Sequence, residues 1–281
     1  VTAATELSLT LPHLRLAAQV WGDAQAPALV ALHGWLDNAG SFAHLAPLLA
    51  RQFRVIALDL PGHGHADHLP PGPAGYPFTD YVYAVRDALT ALGIERCAVL
   101  GHSMGAGVAS LLAAALPERV TRLWLIESLG PLADEGDTLK RFRQALAATT
   151  ERKPLRLFRD LDQAVRTRSV ATGLRADLAR PIVERGLRAE ADGWAWRSDP
   201  RLLLPTPIRL AESQVRALLA GIAAPTDVLL ARPASPYLPE ALMRERAACV
   251  PRVRLTHMDG GHHLHLEHPQ AVARWMETAA P

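Results

Sequence analysis

The 281-residue sequence predicts a doubly wound α/β fold: a mostly parallel sheet, an antiparallel hairpin at its start, and a helical cap inserted in the second half. Three observations predict it. Ala28 to Leu32, Phe53 to Leu58, Cys97 to Leu100 and Val120 to Ile126 are nearly continuous apolar runs, the pattern of strands buried on both faces of a parallel sheet. Helical segments separate these runs, and strands alternating with helices build βαβ units. The alternation stops at Leu129-Gly130-Pro131, and no buried-strand run returns until Val228 to Ala231.

In chain order, Thr5 to Leu11 alternates polar with apolar, and Leu14, Leu16, Ala18 and Val20 repeat the alternation after Pro12-His13, as an antiparallel hairpin does. Helices are expected over Phe42 to Ala50, over Asp80 to Leu92 with Thr79 as N-cap, and over Ala106 to Leu116. Pro70-Pro71-Gly72-Pro73 marks a surface loop. The Arg- and Ala-rich stretch from Pro131 to Ala223 reads as helical. Helix Pro239 to Ala247, strand Val253 to Thr256 and a last helix from Pro269 to Thr278 then restore the α/β order. The expected organisation is a core in two parts, 1–130 and 224–281, around a cap at 131–223.

Composition narrows the class. The net charge is +2, and no Lys/Arg run of nucleic-acid type is present, so a polyanion partner has no general support. Charge is unevenly distributed: Pro131 to Ile222 carries 17 Lys/Arg against 12 Asp/Glu. Most of these charges are expected on solvated helix faces. The sharper alternative is a basic rim that steers an acyl carrier toward the site. Two cysteines imply no disulfide framework. The longest apolar stretch, Val108 to Leu116, is too short to span a bilayer, and no leader pattern opens the sequence, so a cytoplasmic protein is expected.

The chemistry is announced by Gly101-His102-Ser103-Met104-Gly105, set between an apolar strand-like run and a small-residue helical run. A serine on a sharp strand-to-helix turn needs glycine on both sides, where a Cβ would clash, and the turn exposes its Oγ at the sheet edge. Ser103 is therefore the candidate nucleophile; an ordinary glycine-rich turn is the plain alternative. Serine needs a base near neutral pKa, which histidine supplies. The segment Gly260-Gly261-His262-His263-Leu264-His265-Leu266-Glu267-His268-Pro269 follows the last strand, and His262 directly follows the two glycines. His263 and His265 compete with it. A metal site in this histidine cluster is the weaker reading, because neither cysteine nor an H-E-x-x-H helix accompanies it.

Taken together, His33-Gly34-Trp35-Leu36-Asp37-Asn38, Asp59-Leu60-Pro61-Gly62-His63-Gly64, the Ser103 turn, Trp196-Arg197-Ser198-Asp199-Pro200-Arg201 and the His262 segment resemble the α/β-hydrolase fold superfamily over nearly the whole chain. The closest likeness is to the serine hydrolase-like proteins. The resemblance implies an oxyanion hole made by the backbone N–H groups of Trp35 and Met104, donors that cost no reorganisation when charge develops. It leaves the triad acid in doubt, since Arg232-Pro233-Ala234-Ser235-Pro236-Tyr237 offers no carboxylate where the family usually has one. Glu127 ends the preceding strand, 24 positions beyond Ser103, and haloalkane dehalogenases of this fold can place their acid there. Glu127 is the expected acid, ahead of Asp259 and Asp227. Serine at the turn argues against dehalogenase and epoxide hydrolase chemistry, which resemble each other in using aspartate. The expectation is a cofactor-free serine esterase with no metal, acting on a small ester with an apolar acyl group. Acyl thioesterase or C–C hydrolase action, or a non-catalytic ligand-binding protein on the same fold, are the alternatives.

Overall fold

The computed structural model describes residues 3–72, 74–134, 136–148 and 156–278. Among the described residues, ten strands run β1 (Thr5–Thr10), β2 (Arg15–Trp21), β3 (Ala28–Leu32), β4 (Arg54–Asp59), β5 (Cys97–His102), β6 (Val120–Ile126), β7 (Leu187–Glu190), β8 (Gly193–Trp196), β9 (Thr226–Arg232) and β10 (Val253–Asp259). Eight of them form one sheet in the order β1-β2-β4-β3-β5-β6-β9-β10. The β1–β2 hairpin is antiparallel and β2 meets β4 antiparallel; every other neighbour in this sheet is parallel. The apolar runs therefore form strands buried on both faces, as their composition requires, and Val30, Leu100, Leu125 and Leu229 are fully buried.

The helices are α1 (Ala46–Leu49), α2 (Phe78–Ala91), α3 (Met104–Ala115), α4 (Thr138–Ala148), α5 (Leu161–Thr172), α6 (Ala176–Gly186), α7 (Glu212–Ala220), α8 (Glu240–Ala247), α9 (Leu264–Glu267) and α10 (Pro269–Thr278). They flank a core whose two clusters lie on opposite faces of the sheet, one with α2 and α3, the other with α1 and α10. Val108 and Leu112 of α3 are fully buried in the first, and each such side chain contributes about 1.5–3 kcal/mol of burial.

Three expectations change in detail. The helix foreseen over Phe42 to Ala50 divides into a 3₁₀ turn at Ala39–Phe42 and the short α1, with Asn38 Oδ1 accepting from the Gly40 N–H at 3.0 Å to start the turn. The second helix begins at Phe78 behind Pro77, so Thr79 lies inside it and is not its cap. Residues 131–223 are not wholly helical, because β7 and β8 pair as an antiparallel ribbon with Leu187 opposite Trp196. Pro70 to Gly72 is an exposed loop; Pro73 lies outside the described residues, as do 135 and 149–155 of the inserted stretch.

The inserted stretch is tied to the C-terminal edge of the sheet by polar side chains. Arg185 of α6 places Nε 3.0 Å from both Asp59 carboxylate oxygens at the end of β4 and Nη1 2.7 Å from Glu6. Asp199 accepts from the Tyr76 hydroxyl at 2.8 Å, and Arg201 donates to the Leu69 and Pro70 carbonyls. The Trp196 to Arg201 motif thus pins the Leu60 to Tyr76 loop. Among the described residues no helix is long and apolar enough to cross a membrane.

Candidate active site

Ser103 sits between β5 and α3 with φ +52° and ψ −114°, a conformation non-glycine residues rarely adopt. The turn is as tight as its glycines imply. A Cβ on Gly101 would lie 2.5 Å from the Ala106 Cα, and one on Gly105 would lie 2.1 Å from the Leu32 carbonyl oxygen. The Ser103 N–H donates to the Ile126 carbonyl at 2.8 Å, which ties the turn to β6. Among the described residues, the only other non-glycine residues at positive φ are Leu36, at +60°, and Glu127, at +55°. All three sit at the C-terminal ends of β3, β5 and β6, where the candidate residues gather. Such strain costs about 1–3 kcal/mol per residue and persists only where the surroundings enforce it.

Glu127 follows β6 and is buried. Its Oε1 accepts from the Ala231 N–H at 2.6 Å and its Oε2 from the Ser235 hydroxyl at 3.1 Å. The same Oε2 lies 2.9 Å from His262 Nδ1. A carboxylate beside the ring places a proton on Nδ1 and leaves Nε2 free to accept one. The Tyr237 ring stands edge-on to His262, with centroids 5.4 Å apart. Gly260 and Gly261 let the loop return: a Cβ on Gly261 would lie 2.6 Å from Glu267 Oε1, whose partner Oε2 accepts the Gly261 N–H at 2.7 Å.

The Trp35 and Met104 backbone N–H groups donate to no protein acceptor among the described residues. The Trp35 indole donates to the Leu202 carbonyl at 3.0 Å, and its ring is half-exposed. His33 braces the loop: Nδ1 donates to the Gly34 carbonyl at 2.7 Å and Nε2 accepts the Leu60 N–H at 3.0 Å. Burial lowers the His33 pKa, so the ring is neutral. Asp259 ends β10, and Asp227 is engaged lower in β9 with Arg122 at 2.7 Å and Arg254 at 2.6 Å.

A buried cluster behind His262 was missed from sequence. His102, inside the Ser103 motif, donates from Nε2 to the His262 carbonyl at 2.8 Å. Its Nδ1 faces Asp37 Oδ2 at 3.7 Å, and His263 Nε2 faces the same oxygen at 3.4 Å. Ser41 accepts from His265 Nε2 at 2.8 Å. Burial, reinforced by the neighbouring His265, holds His102 well below the usual histidine pKa. Asp37 is buried too, which by itself would raise its pKa, but hydrogen bonding and charge from His263, with Arg168 adding charge, hold it well below the usual range. Donor atoms of Asp37, His102 and His263 lie within 4.8 Å of one another, a spacing that could hold a cation. The Arg168 guanidinium already meets the charge of Asp37. The four residues come from four separated segments, so no local pattern reveals their meeting.

The pattern of the alpha/beta hydrolase fold family matches residues 27–206. The chain is 32% identical to a serine hydrolase-like protein of Danio rerio, over 96% of this chain and 86% of that protein. It is 30% identical to one of Dictyostelium discoideum, over 92% of this chain and 76% of that protein. The crystal structure of a hypothetical protein from Pseudomonas aeruginosa PAO1 superposes with a TM-score of 0.87 at 39% identity, covering 97% of this chain and 98% of that one. The fold and the names of these relatives support hydrolase activity on a small molecule. With more than half of its length inside the family pattern and relatives aligned along nearly all of it, the chain belongs to the α/β-hydrolase fold family.

Proposed function

We propose that the chain is a serine hydrolase that cleaves a carboxylic ester through an acyl-enzyme. The carrying observation is the 2.9 Å contact between His262 Nδ1 and a buried Glu127 carboxylate that also accepts Ala231 N–H and Ser235 O–H. A carboxylate fixed in this way orients the ring and stabilises the imidazolium that forms when His262 Nε2 takes the Ser103 proton. Ser103 Oγ attacks the ester carbonyl, and the Trp35 and Met104 N–H groups receive the developing oxyanion, a contribution of about 3–4 kcal/mol per donor where water is excluded. The proton on Nε2 then passes to the departing alkoxide. A water activated by the same nitrogen attacks the acyl carbonyl, and Ser103 regains its proton as the acid leaves. The 131–223 stretch is the cap over this edge of the sheet.

A fluorophosphonate probe tests the reading, because it phosphonylates only a serine that its own site activates. Labelling of the wild type at Ser103, absent from Ser103→Ala, is the expected result. A folded wild type that takes no label would favour a ligand-binding protein on the same fold.

A further inference from the structure

The proposed chemistry makes no use of the charged cluster behind His262. Asp37 is 1% exposed, and its Oδ1 accepts from Arg168 of α5, 131 positions along the chain. Its Oδ2 is shared by His263 at 3.4 Å and by the Ser41 hydroxyl at 3.4 Å, while His102 Nδ1 stands 3.7 Å away without a hydrogen bond. His263 is the chain neighbour of His262, and His102 holds the His262 carbonyl. His262 is therefore attached to Asp37 through its peptide bond to His263, while His102 holds its carbonyl. Arg168 is itself nearly buried, with 12% of its side chain exposed. A carboxylate so buried needs an opposing charge, and here that charge comes from the inserted stretch.

We propose that Arg168 and Asp37 are positioning residues: their ion pair, made between α5 and the loop after Gly34, holds His263 in place and thereby fixes its chain neighbour His262. The proposal rests on reading His262 as the acid–base residue. It also makes the seating of α5 over the sheet edge a condition for turnover. With α5 displaced, Asp37 loses its counter-charge, the His263 ring on Oδ2 reorients, and His262 moves with its chain neighbour. Substrate affinity has no share in this, because Asp37 is buried and Arg168 nearly so.

The test compares Arg168→Met, which keeps much of the apolar stem, with Arg168→Lys, using p-nitrophenyl acetate and proton NMR of the His262 Nδ1–H bonded to Glu127. Arg168→Met is expected to lower kcat about 10- to 100-fold, the cost of misplacing a reacting group by about 1 Å, with KM little changed and the Nδ1 proton signal moved or broadened. Arg168→Lys is expected to restore most of the rate. Wild-type kcat and an unmoved signal in Arg168→Met would overturn the proposal, as would a lysine variant no better than methionine. If Arg168→Met does not fold, Asp37→Asn/Arg168→Met removes both charges together. A folded double variant with lowered kcat supports the latch, and one with full kcat overturns it. Ser103→Ala separates the two readings: if it keeps the wild-type rate, the esterase reading fails, and the Nδ1 signal alone then decides whether Arg168 orients His262.

Discussion

Glu127 combines two constraints that are costly apart. It occupies φ +55°, and its carboxylate is buried with three donors directed at it from Ala231, Ser235 and His262. Glutamine in its place retains an acceptor for Ala231 and nearly the same volume but loses the negative charge behind the imidazole. Glu127→Gln is therefore expected to lower kcat by about 10²- to 10⁴-fold with a melting temperature close to wild type. Steady-state kinetics beside thermal unfolding check both halves, and near wild-type turnover would remove Glu127 from the acid role. Its place in the fold was legible in the sequence, because it directly follows a strand adjacent to that of Ser103. Asp37 was not, since its partners His102, His263 and Arg168 reach it from β5, the last loop and α5, and a one-dimensional pattern carries no sign of that meeting.

At the scale of elements, the turn from β5 into α3 is tightly constrained. Gly105→Ala would press a methyl group to 2.1 Å from the Leu32 carbonyl, which is backbone of the central strand β3 and cannot swing away. The variant is expected to lose about 1–3 kcal/mol of stability and most of its activity, because α3 must shift and carries the Met104 N–H with it. Urea unfolding and ester turnover measure the two effects; full stability would mean that the turn is looser than its geometry implies. Strong local chemistry made this element readable, as did the continuous apolar runs of the parallel strands. The β7–β8 ribbon was not readable. Leu187–Glu190 and Gly193–Trp196 are four residues each, too short to establish a period of two, and they lie among Arg and Ala that favour helix. The early start of α2 escaped for a related reason: Pro77 fixes the entry by its φ of −61°, so no side-chain cap is needed at Thr79.

The whole molecule carries several neutral, buried histidines, and these set its acid response. Burial, with the charge of neighbouring rings adding, pushes His63 and His265 down to about 3 from an ordinary value of 6.5. Between those limits the unfolded chain binds protons that the native protein refuses, so stability falls as pH drops from 6.5 toward 3. Each group costs about 2 kcal/mol between pH 6.5 and pH 5. Asp37, held below its ordinary value, acts the same way at lower pH: its contribution is present above the normal carboxylate range and is lost only well beneath it. Urea unfolding at pH 7 and pH 5 is expected to show a marked loss in the wild type and a smaller one in His265→Gln; equal losses would contradict the assignment of a neutral His265. The same scale holds the central claim, that sheet, loops and inserted stretch converge to make Ser103 an acylated nucleophile. The direct measurement is intact-protein and peptide mass spectrometry of enzyme acid-quenched during p-nitrophenyl ester turnover, with the burst of p-nitrophenol recorded alongside. The account predicts one acyl group per chain, on Ser103, matching the burst amplitude and absent from Ser103→Ala. Turnover with an acyl group on any other residue, or undiminished turnover in Ser103→Ala, would contradict it.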